Sequence, residues 1–158
     1  MYQITKKWGP FSCAFRQPNA IGYSHCQYVH GYGLTVEATF TSYTLDKRGW
    51  VIDYGGLKPI KAKIEEMIDH KTIVSRRDPD LDFFLEGEKR GIFQLTYMDN
   101  FSCEHVARFL HQYISQWLEF TYKSSQAHFS PCSSLKVDSV KVNEHWANSA
   151  TYSHEEWM

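Results

Sequence analysis

No run of apolar residues in this 158-residue chain approaches the roughly 18 that a membrane-crossing helix requires, so no membrane span is expected. An excess of either charge is also missing. Lys and Arg number 17 against 18 Asp and Glu, a net charge of −1, which argues against nucleic acid or an anionic membrane as the main partner. The four cysteines, Cys13, Cys26, Cys103 and Cys132, form no Cys-x-x-Cys pair, which argues against a zinc knuckle or a thioredoxin-like motif. There is no P-loop or glycine-rich phosphate cradle. The opening Met1-Tyr2-Gln3-Ile4-Thr5-Lys6-Lys7 lacks the apolar core of a secretory leader. A cytoplasmic protein with reduced thiols is the expectation. Repeats, low-complexity tracts and linker compositions are absent too, so residues 1–158 read as a single domain.

What is present is patterned. Phe11, Cys13 and Phe15 alternate with Ser12 and Ala14, and Leu34, Val36, Ala38 and Phe40 alternate with Thr35, Glu37 and Thr39. Both patterns predict strands with one buried face. Asp46 to Gly49 reads as a turn, with Trp50-Val51-Ile52 extended after it. Leu57, Ile60, Ile64, Met67 and Ile68 recur at helical spacing and predict a first helix ending near Asp69-His70. The charged stretch from Ser75 to Arg90, with Pro79 and Gly87, reads as a loop with a turn of helix. Residues 92–97 read as a short extended segment. Asn100 or Ser102 can cap a second helix, whose stripe runs through Val106, Phe109, Leu110, Tyr113, Ile114, Trp117 and Leu118. A strand follows over 135–144. Its apolar parity shifts from Leu135 and Val137 to Val140 and Val142, which predicts a bulge near Ser139. A last short strand is expected over 149–152. The order predicts an α+β fold: a four-stranded antiparallel sheet with two helices on one face. Such a sheet has two open edges, and pairing them between subunits would close an oligomeric barrel.

Six segments carry a further signal. They are Phe11-Ser12-Cys13-Ala14-Phe15-Arg16, the stretch from Cys26 to Tyr32 with its His30-Gly31 turn, Gly49 to Gly55, Ile68-Asp69-His70, Ser102 to Ala107, and Val140 to Glu144 with Asn148 to Tyr152. In this order they resemble the 6-pyruvoyl-tetrahydropterin and 6-carboxytetrahydropterin synthases over nearly the whole chain. The resemblance implies the tunnelling fold, a trimer or hexamer of this chain, and a small reduced pterin as partner. In that family the substrate is 7,8-dihydroneopterin triphosphate. The pathway served (queuosine-like base, biopterin or folate) stays open.

By the same resemblance Cys26, Asp69 and His70 form an acid–base relay. A carboxylate orients an imidazole, which exchanges protons with a thiol. The bland alternative is a small apolar Cys26 and a helix terminus at Asp69-His70. Glu144 is the implied pterin anchor, since a carboxylate can accept from both the ring NH and the exocyclic NH2. Glu104 and Ser102 would line the same pocket, although Glu104 also suits the first turn of a helix for its charge alone. The family's three zinc-binding histidines correspond to Phe15, His30 and Tyr32. His30 is the one usual ligand among them, short of the three that a catalytic zinc takes, so His30 and Tyr32 stand either as a residual metal site, with His30 its ligand, or as hydrogen-bond donors toward a substrate oxygen. Arg16, with Lys47 or Arg48, is a candidate phosphate grip or else a solvated charge. Three functions stay open: a 6-carboxytetrahydropterin synthase-like lyase, a metal-free pterin or purine binder, and an aldolase-like pterin side-chain lyase.

Overall fold

The structure is a computed structural model that describes residues 1–153. Its strands are β1 (Tyr2–Phe15), β2 (His30–Ser42), β3 (Lys71–Val74), β4 (Leu95–Tyr97), β5 (Lys136–Asn143) and β6 (Ser149–Ser153). Its helices are α1 (Lys58–Ile68), α2 (Leu81–Lys89) and α3 (Cys103–Trp117); a π-helical turn over Leu118–Tyr122 continues α3. One six-stranded sheet runs in the order β4-β3-β1-β2-β5-β6. The expected antiparallel four are its β1, β2, β5 and β6.

The sheet therefore differs from the four-stranded antiparallel one expected. β3 pairs with the end of β1, and β4 with β3, both in parallel. Parallel neighbours need a crossover, and α2 provides it inside the stretch read as a loop. That helix is short and buries only Phe84 and Gly87, which leaves no long stripe to read. Gly87 lies so close under Phe93 that an added Cβ would run into its ring. Trp50 to Ile52 form no strand, yet Val51 and Ile52 are buried side chains of the core. β1 also starts earlier than its pattern suggested, because Lys6, Lys7 and Gly9-Pro10 mask the alternation.

One face of the sheet is buried. Leu34, Val36, Ala38 and Phe40 of β2 are each 0% exposed, while Thr35, Glu37 and Thr39 are half-exposed. α1, with Ile60, Ile64 and Ile68, and α3, with Val106, Leu110 and Ile114, join the same core. Phe109 of the expected stripe is instead exposed. α1 ends at Ile68 and Ser102 caps α3, as the sequence predicted. Among the described residues no helix is long and apolar enough to cross a membrane.

Two bulges set the register. On β2 the partners pass from Trp8↔Val36 to Phe11↔Leu34, so β1 carries one extra residue. From Thr39↔Ser139 to Phe40↔Val137, β5 carries another, at the place its parity shift predicted. Gly9 permits the first. Its φ is +109°, and an added Cβ would stand 2.7 Å from the Leu34 carbonyl oxygen. Gly9→Ala is expected to lower stability by about 1–3 kcal/mol. A denaturant titration with unchanged slope and lower midpoint would register it; an unmoved midpoint would refute the steric role of this glycine.

Candidate functional site

A cavity of about 550 Å³ opens where β1 and β2 meet the start of α3 and the β5–β6 turn. Its floor is aromatic: Phe15 ends β1, Tyr32 lies on β2, and Phe101 precedes α3. The Phe15 and Phe101 ring centroids are 4.6 Å apart, and Tyr32 meets Phe101 edge-on at 6.0 Å. The register places these rings. Phe15 pairs with His30 and Cys13 with Tyr32, so inward-facing positions of β1 adjoin the opening of β2.

The walls carry the polar groups. Ser102 caps α3 by accepting a hydrogen bond from the His105 N–H at 3.3 Å. Cys103 and Glu104 follow in the first turn and line the cavity. The backbone N–H of Glu104 itself and the Ser102 hydroxyl hold the Glu104 carboxyl below the usual carboxylate range. Glu144 stands one residue beyond β5. Its N–H donates to the Asn148 carbonyl at 3.0 Å, which fixes the β5–β6 turn, and its side chain is 31% exposed. Cys26 sits in a single 3-10 turn capped by the Ser24 hydroxyl, and its carbonyl accepts from the Gln17 N–H at 2.8 Å. It is exposed and lines the cavity.

Electrostatics separate these groups. Burial, then the Glu144 charge, pushes the Tyr32 phenol up to about 12, so it stays a proton donor at neutral pH. Burial, then Glu144 and Glu104, pushes the Cys103 thiol up to about 11. Cys13, more deeply buried, is pushed up to about 12. Both behave as small apolar fillers at neutral pH.

Asp69 and His70 lie elsewhere. The Asp69 carboxylate accepts from the Ser12 N–H at 2.9 Å, and this bond chiefly holds it below the usual carboxylate range. His70 takes a left-handed φ of +57°, its N–H donates to the Ser12 carbonyl, and its ring stands 3.1 Å from Asp69. The His70 side chain is 81% exposed and does not line the cavity. The cavity of one chain thus gathers Cys26, Tyr32, Ser102, Glu104 and Glu144, and leaves the Asp69-His70 pair outside. Phe101 and Gln17 line it without having been singled out from the sequence. Phe101 had a signal, an apolar residue directly before a helix cap.

The zinc positions do not fit a metal. Phe15 has no donor and is packed in the floor. Tyr32 holds its proton far above neutral pH. His30 stands beside Tyr32, at 4.7 Å between centroids, with its Nδ1 2.8 Å from the Tyr28 carbonyl. Among the described residues no three His, Cys, Asp or Glu side chains are placed to hold a metal ion. Two of the expected phosphate grips, Arg16 and Arg48, are engaged as well. Arg16 makes a two-point contact with Asp78 and reaches Asp80 at 2.7 Å. Arg48 binds Asp46 at 2.8 Å and lies over the rings of Trp50 and Phe129.

Residues 3–155 match the family model of 6-pyruvoyl tetrahydropterin synthase. A 6-carboxy-5,6,7,8-tetrahydropterin synthase of Rickettsia felis is 33% identical over 79 residues, covering 48% of this chain and 54% of that protein. One of Rickettsia typhi is 32% identical over 87 residues, covering 52% and 59%. The chain thus spans about half the length of the curated relatives it matches. An uncharacterised protein of Wolinella succinogenes superposes with a TM-score of 0.77 at 19% identity, over 98% of both chains. The 6-pyruvoyl tetrahydropterin synthase of Caenorhabditis elegans does so with 0.59 at 19% identity, again over 98% of both. At these identities the structural likeness is one of fold.

Exposure singles out Cys26 from Cys13 and Cys103, whose thiols burial pushes up. Brief treatment of the native protein with iodoacetamide near neutral pH is expected to label Cys26 at least about tenfold faster than Cys13 or Cys103. Peptide mass spectrometry reads the order; preferential labelling of Cys103 would overturn the assignment.

Proposed function

Since the chain belongs to the 6-pyruvoyl tetrahydropterin synthase family, we propose that its cavity binds a reduced pterin and catalyses acid–base chemistry on the pterin side chain, as a lyase resembling 6-carboxytetrahydropterin synthase. The observation that carries this reading is the convergence of Glu144, Glu104, Tyr32 and Cys26 on one cavity with an aromatic floor. A pterin is planar and presents two adjacent N–H donors. Glu144 accepts from both, a bidentate and selective pairing. The Phe15, Tyr32 and Phe101 rings offer an apolar surface for the heterocycle. Cys26 serves as the base or acid at the side-chain carbons. The Tyr32 phenol, a donor throughout the neutral range, hydrogen-bonds the side-chain oxygen on which negative charge develops.

Zinc enters no step, because the residues at its positions do not fit it. The relay from Cys26 to His70 and Asp69 needs a second copy of the chain, since within one copy the pair stands outside the cavity with its imidazole exposed. A homo-oligomer, trimer or hexamer, meets that need. Retro-aldol cleavage of the side chain is the second reading, and the lack of a fitting metal cage favours it. It calls on the same base and the same phenol without a Lewis acid.

Incubation of chelator-treated protein with reduced pterins, with products separated by chromatography, tests the proposal. A carboxylated or pyruvoylated product identifies synthase chemistry, and a shortened side chain identifies the aldolase-like reaction. Absence of any product at saturating pterin would leave a binder only. Cys26→Ala is expected to abolish turnover while leaving the dissociation constant within about twofold. Glu144→Gln is expected to weaken pterin binding by roughly 10–100-fold, the range for a hydrogen bond to a charged group. An undiminished affinity in the Glu144 variant would remove it as the anchor.

A further inference from the structure

Two side-chain amides line the cavity, those of Gln17 and Asn148. The Asn148 amide is engaged inside the β5–β6 turn. Its nitrogen lies 3.0 Å from His145 Nε2 and 3.4 Å from a Glu144 carboxylate oxygen. Gln17 differs. Its Oε1 accepts from the Asn19 N–H at 3.2 Å and so caps the 3-10 turn over Pro18–Ala20. That bond fixes which end of the amide is oxygen, so the NH2 is the group left to offer a ligand. Among the described residues this NH2 has no acceptor.

The backbone ties Gln17 to Cys26. The Gln17 N–H donates to the Cys26 carbonyl at 2.8 Å and closes a loop between the two residues. Inside it the Ala20 carbonyl accepts from the Tyr23 and Ser24 N–H groups, at 2.9 and 3.1 Å. The Ser24 hydroxyl in turn accepts from the Cys26 N–H at 3.2 Å. Gln17 and Cys26 therefore face the cavity from one braced loop. These bonds lie within one chain, so they do not depend on what a second copy adds to the site.

Resting on the pterin reading above, we infer that Gln17 is a specificity-determining residue, whose NH2 donates a hydrogen bond to a hydroxyl oxygen of the pterin side chain. Glu144, on the β5–β6 turn, takes the donor edge of the heterocycle. Cys26 acts at the side-chain carbons, and Gln17 is bound to Cys26, so its amide serves the same end of the ligand. An amide NH2 carries no charge and does not titrate, so it selects for an oxygen at any pH. A ligand without that oxygen leaves the donor facing an apolar group. Gln17 is half-buried, so the discrimination is that of one neutral hydrogen bond.

Calorimetric titration of the full chain in its native assembly tests this with two ligands. One is 7,8-dihydroneopterin, whose side chain is hydroxylated; the other is 6-methyl-7,8-dihydropterin, which has no side-chain hydroxyl. Gln17→Met keeps the length of the side chain and removes the donor. It is expected to weaken binding of dihydroneopterin roughly 3–10-fold and to leave that of the 6-methyl compound within about twofold. Iodoacetamide labelling of Cys26 at an unchanged rate would show that the loop survives loss of the Asn19 cap. Equal weakening of both compounds, or of neither, would overturn this inference while leaving the pterin reading intact. A weakening that comes with an altered labelling rate would assign the loss to the loop and overturn it too. Failure of the unsubstituted protein to bind either compound would overturn the pterin reading, and this inference with it.

Discussion

Side chains alternate along a strand, so one extra residue reverses the facing of everything beyond it. In this protein that reversal happens twice, and the cavity depends on both. In β1, Trp8 faces the core, and so does Phe11 three residues later; Cys13 and Phe15 follow on the same face. Without the insertion at Gly9-Pro10 those positions would face outward, and the cavity would lose its Phe15 floor. In β5, Val137 and Val140 are both buried for the same reason, and Val142 continues that face toward Glu144. The conformational freedom of Gly9 and the extra residue in β5 thus fix, from a distance, an aromatic ring and a carboxylate that meet at one opening.

That meeting gives the cavity its chemical character. Aromatic rings at two of the three zinc positions make the floor apolar, and carboxylates in the wall make its field negative. Both effects oppose the loss of a proton, which is why the Tyr32 phenol and the Cys103 thiol shift upward. The site is arranged to donate hydrogen bonds from its floor and accept them at its wall. Cys26 lines the same cavity from the exposed 3-10 turn between β1 and β2, and so differs from Cys13 and Cys103 by exposure and not by sequence context.

Much of this architecture was legible in the sequence where a single face is buried. Leu34 to Phe40, the α3 stripe with its Ser102 cap, the end of α1 and the β5 bulge could all be read from period and capping chemistry. The β3–α2–β4 crossover could not. Two of its elements are short, and its one helix packs through a glycine under Phe93, which no periodicity announces. Within the site, Cys26, Tyr32, Ser102, Glu104 and Glu144 come together, whereas Asp69-His70 does not. Motifs mark which residues share a chemistry; whether they converge within one chain depends on how the elements turn. Arg16 shows the same limit, because only the fold reveals that Asp78 and Asp80 hold its guanidinium.

The sheet has an asymmetry of its own. Among the described residues β6 pairs only with β5, and the stretch of β1 from Tyr2 to Phe11 pairs only with β2. These two bare runs differ in length and in sequence, and they lie on opposite sides of the sheet. A contact that joins one to the other cannot be self-complementary; it is heterologous, with the head of one copy on the tail of the next. Such a contact ends only when its rotation returns to the start, as a ring about one axis. If the twist per copy misses closure, the same two edges propagate a filament without limit.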